Sequence, residues 1–480
     1  MTAPARLPRA FWWLWTSSAA SNLADGVLKT ALPLVALGFT TSPAAVAGLS
    51  LALSLPWLVV ALPAGALVDR WDRRATLVVA DVARAVVVAL LAVVTLTGGG
   101  SMAALYAAAV LVGVAEVFRD TTAQSVLPQV VGRDALPAAN GRLHAAELTT
   151  NAFAGPPLGG VLVGVGAAVA LGAPAGLWAL AVLTLLQVRG SFRAPRAVDA
   201  PRTTLRRDIG EGLRFLWRRP VLRTLAVMVG VTNLAMSAVS AVFVLWAVGA
   251  GSAMGLTEAQ YGVLLMWLAV GAVGGSLVAG PVTARLGRTA TLGVSVVGSA
   301  LCLAAPAVTT DPLLVGAANT VAGFGIALWN VVTVSLRQRL TPDHLLGRVN
   351  SAYRLLAWGT MPLGAALGGL IGETWGLRWV FVVGGVVAGG LVVLLPRVGE
   401  GALVAAERAA QEDGVRGPDD EPTDDGPTDD GPTDDGPTDD GRHDDGPTDD
   451  GRHDDGRHDD GRHDDGPPAD EADGPDDVRP

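Results

Sequence analysis

One cysteine, Cys302, and one lysine, Lys29, are all that these 480 residues hold of either type. A lone cysteine excludes an intramolecular disulfide and a thiolate metal cluster. No GxxxxGK[ST] loop and no HExxH helix occurs, so nucleotide-driven pumping and zinc proteolysis lack their residues. Neither a catalytic cluster nor an ordered signalling domain is visible. The chain therefore reads as a non-enzyme without cofactor or metal, and a transport-inactive membrane sensor is the alternative from another class. Charge is scarce as well. Only 17% of residues are charged against 50% hydrophobic, and up to Pro396 the charges are sparse, 42 in 396 residues. No soluble domain sustains so many successive apolar runs, so the class is an all-α membrane protein.

What the chain does contain is a segment written twice. GALVDRWDRR, from Gly65 to Arg74, closes one apolar run, and GPVTARLGRT, from Gly280 to Thr289, closes another. Asp134, Asn140, Gly159 and Gly160 recur at nearly the same offset as Asp343, Asn350, Gly368 and Gly369. A parallel duplication of several spans is a recurring plan of secondary transporters, with a site between the halves.

Runs of about 20 apolar residues, enough to cross the hydrocarbon layer, predict twelve spans. They cover residues 13–38, 43–67, 75–97, 102–127, 142–164, 167–188, 221–248, 258–282, 290–309, 312–335, 350–371 and 377–396. The expected organisation is a six-helix bundle at 1–188, a cytoplasmic amphipathic linker at 189–220, a second six-helix bundle at 221–396 and a disordered acidic tail at 397–480. Arginine clusters fall in the even-numbered loops, which places both termini in the cytoplasm and the protein, multi-pass, in the cell membrane. Within the linker, Leu205, Ile209, Leu213 and Leu216 recur at helical spacing among arginines, the pattern of a helix lying along the inner membrane surface.

Beyond Pro396 there are 8 Arg against 30 Asp and Glu, so the whole-chain charge of −10 conceals a basic membrane body. Nine PTDDG or RHDDG units from Pro422 to Gly466 contain no apolar residue and cannot bury a core. The tail is thus expected to be dispensable for folding. Its His443, His453, His458 and His463 read as repeat expansion rather than a metal site. Nothing points to a nucleic-acid partner.

Charges inside predicted spans are the sharpest functional clue, because a charge at mid-membrane is expensive and usually pairs or lines a wet cavity. The first half holds Asp25 and Lys29, Asp81 and Arg84, Glu116, Arg119 and Asp120, and Glu147. Spacing puts Asp25 and Lys29 on one helix face, and Glu116 beside Arg119 and Asp120. Asp25, Glu116, Arg119 and Lys29 are the candidates for proton coupling; Asp81 and Arg84, nearer the cytoplasmic end, read as packing partners. The second half offers mainly Asn233, Asn319, Asn330 and Arg354.

In the repeated loop, Gly65 permits close helix contact, while Asp69, Arg70, Arg73 and Arg74 are placed to latch neighbouring helix ends. The second copy has Ala284 in place of the acid, so its latch is expected to be weaker. GPPLGG, from Gly155 to Gly160, combines donor-less Pro156 and Pro157 with Gly159 and Gly160, a bend with room for a neighbouring backbone.

GALVDRWDRR resembles the loop signature of the major facilitator superfamily, and GPPLGG is similar to the end of its antiporter motif. More narrowly, DRWDRR, Leu127 with Pro128, Ala138 to Asn140, GPPLGG, GRVNSAYR and PLGAALGG resemble the bacterial macrolide and enterobactin exporter branch over residues 10 to 396. The resemblance implies twelve helices around a central cavity and export of a hydrophobic or amphipathic small molecule in exchange for protons, with a dedicated siderophore exporter as the alternative. Its partners would be that substrate, protons and the bilayer, with the chain a monomer. Phe118, Met236, Trp246 and Trp329 are the cavity-wall candidates.

Overall fold

The computed structural model describes residues 7–68, 71–188, 192 and 205–415. Asp69, Arg70 and the repeat units with their histidines lie outside these residues. The described elements are helical throughout: α1 (Arg9–Ala36), α2 (Pro43–Val59), α3 (Ala61–Val68), α4 (Arg73–Leu96), α5 (Met102–Val130), α6 (Leu136–Glu147), α7 (Gly155–Val165) and α8 (Ala167–Leu185) precede the linker helix α9 (Leu205–Arg218). After it come α10 (Pro220–Ala247), α11 (Glu258–Leu286), α12 (Arg288–Val308), α13 (Pro312–Leu340), α14 (Asp343–Thr374), α15 (Leu377–Gly390), a 3-10 extension Leu391–Val398, and α16 (Glu400–Val415).

Among the described residues, nine helices are long and apolar enough to cross a membrane. The other three expected spans fall on α1, on α2 with α3, and on α6 with α7. Each has a local reason for its weaker signal. α1 carries the polar series Ser17, Ser21 and Asp25. The second run breaks at Val60, because Pro63 has no N–H to offer the Val59 carbonyl and its ring crowds that oxygen. The fifth run widens into a π turn, Leu148–Ala154, just before the tandem prolines of GPPLGG. Gly287 and Gly376, at φ +80° and +91°, reverse the chain between α11 and α12 and between α14 and α15.

The duplication is visible in the packing. Arg74 donates to the Leu185 and Leu186 carbonyls at the end of α8, at 3.3 and 2.9 Å. Its counterpart Thr289 donates to the Val398 carbonyl at the end of the last span, at 3.1 Å. A Cβ on Gly159 would press on Val27 and Thr30 of α1, and one on Gly368 would fall on Ala238 of α10. The next glycines reach across the pseudo-repeat. Gly160 backs onto Glu258 of α11, and Gly369 onto Pro43 and Ala44 of α2. Ser42 donates to Glu373 at 2.7 Å, so the start of α2 is also tied to the end of α14. The helices before and after α9 are thereby zipped together at one end of the bundle. Large apolar side chains such as Leu277, Val308 and Val393 are left outward and exposed, a surface that a bilayer covers.

Two expectations need correction. The predicted limits of the later spans are short, since α13 and α14 continue for one or two turns through arginine-bearing ends where hydropathy falls but helix propensity does not. More consequentially, the chain after Pro396 is not wholly an undocked tail. α16 buries Leu403 completely beside Leu216, Leu222 and Leu340, with Ala402, Ala406 and Ala410 packed alongside. Arg288 bridges Glu400 and Glu407, each at 2.7 Å, so the loop arginine of the second repeat is paired with α16. Composition hid this, because Glu400, Leu403 and Glu407 were counted with the acidic repeats. Burying Leu403 alone is worth about 2 kcal/mol. Ending the chain at Pro396 is therefore expected to lower the unfolding temperature by several degrees, and ending it at Val415 to leave it unchanged. Equal melting of the two truncations in detergent would show that α16 contributes nothing. The linker is also docked: Glu211 accepts from Arg348 at 2.8 Å, and Leu216 is fully buried.

Candidate functional site

Ser21 and Asp25 are four residues apart on α1, and both turn towards α4. There Arg84, with no exposed surface, donates from Nη1 to Asp25 Oδ1 at 2.7 Å and from Nη2 to Ser21 Oγ at 2.8 Å. The same Nη2 also contacts Asp81 Oδ1, three residues back on its own helix. Ser21 donates to Asp81 at 3.2 Å, and the guanidinium carbon lies 4.8 Å from the centre of the buried Trp178 ring. Arg119 on α5 extends the cluster, 3.6 Å from Asp81 and 3.3 Å from Asp120. One turn along α1, Lys29 pairs with Glu116 at 3.2 Å. Arg354 of α14 also acts electrostatically on Asp120.

All four sequence-predicted coupling candidates are therefore in one network, but with different partners. Asp25 pairs with Arg84 rather than lying against Lys29, and Lys29 crosses to α5. Asp81 and Arg84, read as peripheral packing, sit at the centre. Helical spacing reports only neighbours on one helix, whereas these pairs depend on how α1, α4 and α5 are rotated about their axes.

One cavity adjoins this framework, and a second lies in the later helix set. The first, of about 430 Å³, opens between the helix sets; its wall includes Lys29, Asn151, Met236, Phe243, Tyr261 and Asn319. The second, of about 280 Å³, lies among α10, α12, α13 and α14 and includes Asn233, Met236, Trp329 and Tyr353. Of the aromatic and methionine candidates, Met236 lines both cavities and Trp329 the second. Phe118 and Trp246 line neither of these. Phe118 stacks on Trp71 with ring centres 5.8 Å apart, and Trp246 packs edge-on against Phe381 at 5.2 Å. Aromatic identity alone could not separate wall from packing. Tyr261 and Tyr353, two of only three tyrosines, were overlooked; their rarity in so apolar a chain was the available signal.

The antiporter-like motif touches the network from behind. Gly155 backs onto Gly26, the residue after Asp25, and the Asn151 carbonyl of the π turn would collide with any Cβ on Gly26. On the opposite face Gly160 and Pro156 abut Glu258 and Gly262 of α11. Gly160→Val is expected to part α7 from α11, lengthening spin-label distances across that contact; unchanged distances would mean that the backbones yield without separating. In the repeated loop, Arg74 caps α8 and Asp72 caps α4, accepting from Ala75 N at 2.9 Å. Arg73 Nε is buried without an acceptor among the described residues. Gly65 lies within α3, while Asp69 and Arg70 fall outside the described residues.

A family model described as transmembrane secretion effector matches residues 2–414. The chain belongs to this family of major facilitator transporters. It is 28% identical over 388 residues to the multidrug efflux pump Tap of Mycolicibacterium fortuitum, covering 78% of this chain and 93% of that protein. An uncharacterized MFS-type transporter, y4rN, of Sinorhizobium fredii is 30% identical over 376 residues, covering 76% and 89% respectively. Among solved structures, the nucleoside transporter NupG superposes with a TM-score of 0.64 at 15% identity, over 83% of this chain and 99% of that one. A bacterial homologue of the iron transporter ferroportin, in an inward-facing state, also gives 0.64, at 16% identity over 84% and 100%. The chain is thus a multi-pass membrane transporter of the major facilitator type, related to proteins named as efflux pumps.

Proposed function

We propose that this transporter spans the cell membrane twelve times, as two six-helix halves at 1–188 and 221–396 joined by 189–220, and exports hydrophobic or amphipathic small molecules in exchange for protons. Both termini are cytoplasmic in this reading, because the arginine-bearing loops lie on their side. The zipped end at Ser42 and Glu373 is then extracellular, and the described conformation is closed to the outside. Broken helices at α2–α3 and α6–α7 count as spans in this reading, which is also the arrangement that accounts for the duplicated packing. It assigns the repeated loop, Gly65 with Asp69, Arg70, Arg73 and Arg74, to a cytoplasmic latch.

The observation that carries proton coupling is the charge inventory of the network. Lys29 pairs with Glu116 and Arg119 with Asp120, on which Arg354 also acts, whereas Asp25 and Asp81 share Arg84, so Asp25 has no base to itself. A carboxylate without its own base in a desolvated site favours taking up a proton. The adjoining 430 Å³ cavity is mostly apolar, with Lys29, Ser50, Asn151, Ser240 and Tyr261 among its polar groups, which suits a greasy substrate held loosely.

Reconstitution tests the reading. Purified protein in liposomes is expected to move a macrolide against its concentration gradient when a pH gradient is imposed and to stop when the gradient is collapsed. Movement of a siderophore but no macrolide would favour the dedicated exporter, and downhill movement indifferent to pH would remove proton coupling.

A further inference from the structure

The 280 Å³ cavity contains a cation that the coupling network does not use. Arg337, on α13, contributes to its wall, and its guanidinium carbon lies 4.2 Å from the centre of the Tyr353 ring on α14. Its Nε and Nη1 are buried and make no hydrogen bond among the described residues, and Trp329 Nε1, about two turns back along α13 on the same cavity wall, is likewise without an acceptor. No carboxylate among the described residues is within ion-pair distance of Arg337. The Tyr353 face attracts the guanidinium but leaves its charge in place. A half-buried cation with no carboxylate partner among the described residues is costly, and it is tolerated where something else supplies the negative charge. The rest of the wall is apolar or neutral, with Val229, Met236, Trp358 and Met361 facing the same space as Asn233 and Asn330.

We propose that this cavity binds an amphipathic anion. Its carboxylate or phosphate sits on the open edge of Arg337, within reach of Trp329 Nε1, and its apolar body lies against Met236, Trp358 and Met361. A planar guanidinium with unfilled N–H groups is suited to a two-oxygen head group. The proposal deepens the export reading, since it names a substrate class for the second helix set, yet it concerns binding and does not need transport to be measured. The same chemistry has two sources, a transported organic acid or an anionic phospholipid of the inner leaflet.

The test uses the full-length protein in nanodiscs of zwitterionic phosphatidylcholine, with no ion gradient. Radiolabelled 4-phenylbutyrate and the matching neutral alcohol, 4-phenylbutan-1-ol, are measured by equilibrium dialysis. The acid is expected to bind about ten-fold tighter or more, as a charge-assisted hydrogen-bonded pair implies. Arg337→Gln is expected to bring the acid down to the level of the alcohol, with Arg337→Lys in between. The melting temperature of Arg337→Gln is expected to hold or rise, because the variant removes a charge that lacks a partner. Equal binding of acid and alcohol to the wild type, or unchanged acid binding by a folded Arg337→Gln protein, would overturn the proposal. Adding phosphatidylglycerol distinguishes the sources: competition with the acid, and anionic lipid retained by the wild type but not by Arg337→Gln in native mass spectrometry, identify a lipid site. Absence of competition identifies a soluble anion. If the acid binds as expected while liposomes show no uphill export, the site stands and the proposed function fails.

Discussion

Arg84→Leu is expected to prevent most of the protein from accumulating in a folded state. The side chain has no exposed surface and satisfies Asp25, Asp81 and Ser21 together. Removing it leaves Asp25 without its ion-pair partner and Asp81 dependent on Ser21 and Arg119. Breaking a buried ion pair by deleting one side costs about 3–5 kcal/mol, a large share of the stability of an ordinary domain. Arg84→Lys is expected to be intermediate, because one ammonium cannot reproduce contacts made from two arms of a planar fork. The informative control is a triple variant in which Arg84→Leu is joined by Asp25→Asn and Asp81→Asn. With no buried charge left uncompensated, much of the lost stability is expected to return, although transport is not. Thermal unfolding followed by fluorescence-detected size exclusion separates these outcomes. Wild-type melting of Arg84→Leu would mean that water or lipid head groups already satisfy the two acids.

Much of the helical course was legible, because apolar runs, prolines and glycines act locally. Pro43 and Pro312 open helices, and Gly287 and Gly376 stand where the chain turns back. The duplicated glycines also anticipated the close helix contacts, since Gly159 and Gly368 do face equivalent neighbours. The members of the charged network stood out in the sequence because charges in such apolar runs are rare. Its wiring was not. Asp25 and Lys29 satisfy the spacing rule for a helical pair, yet each finds its partner on another helix, at 2.7 and 3.2 Å. α16 escaped notice for a different reason: composition averaged over the acidic remainder outweighed a short pattern of Glu400, Leu403, Glu407 and Ala410 that packs and pairs. Arg337 was legible as a positive charge at a helix end, but only three-dimensional packing reveals that its Nε and Nη1 are buried against the cavity without an acceptor among the described residues.

Asp25→Asn is expected to leave substrate binding in place and to abolish uphill, proton-driven export. The choice of Asp25 among the four acids follows from its partners. Asp81 is contacted by Arg84, Arg119 and Ser21, and Glu116 has Lys29. Asp120 is the most exposed of the four, pairs with Arg119 and interacts electrostatically with Arg354. Asp25 is almost wholly buried and rests on Arg84 alone, which it shares with Asp81. A proton on Asp25 would release Arg84 to Asp81, and loss of that proton would draw it back, so the charge state of one carboxyl can bias the packing of α1 against α4. The residue next to it, Gly26, is clasped by the π turn and Gly155, and Gly160 in turn backs onto α11. Movement of α1 would therefore be passed through α7 to its contact with α11. Asparagine keeps the volume of the protonated acid and removes its titration. Downhill exchange of substrate in liposomes is accordingly expected to persist at a rate within a few-fold of wild type, while accumulation against a gradient falls to background. Full gradient-driven export by Asp25→Asn would sink the assignment and pass it to Glu116, whose pairing with Lys29 borders the larger cavity.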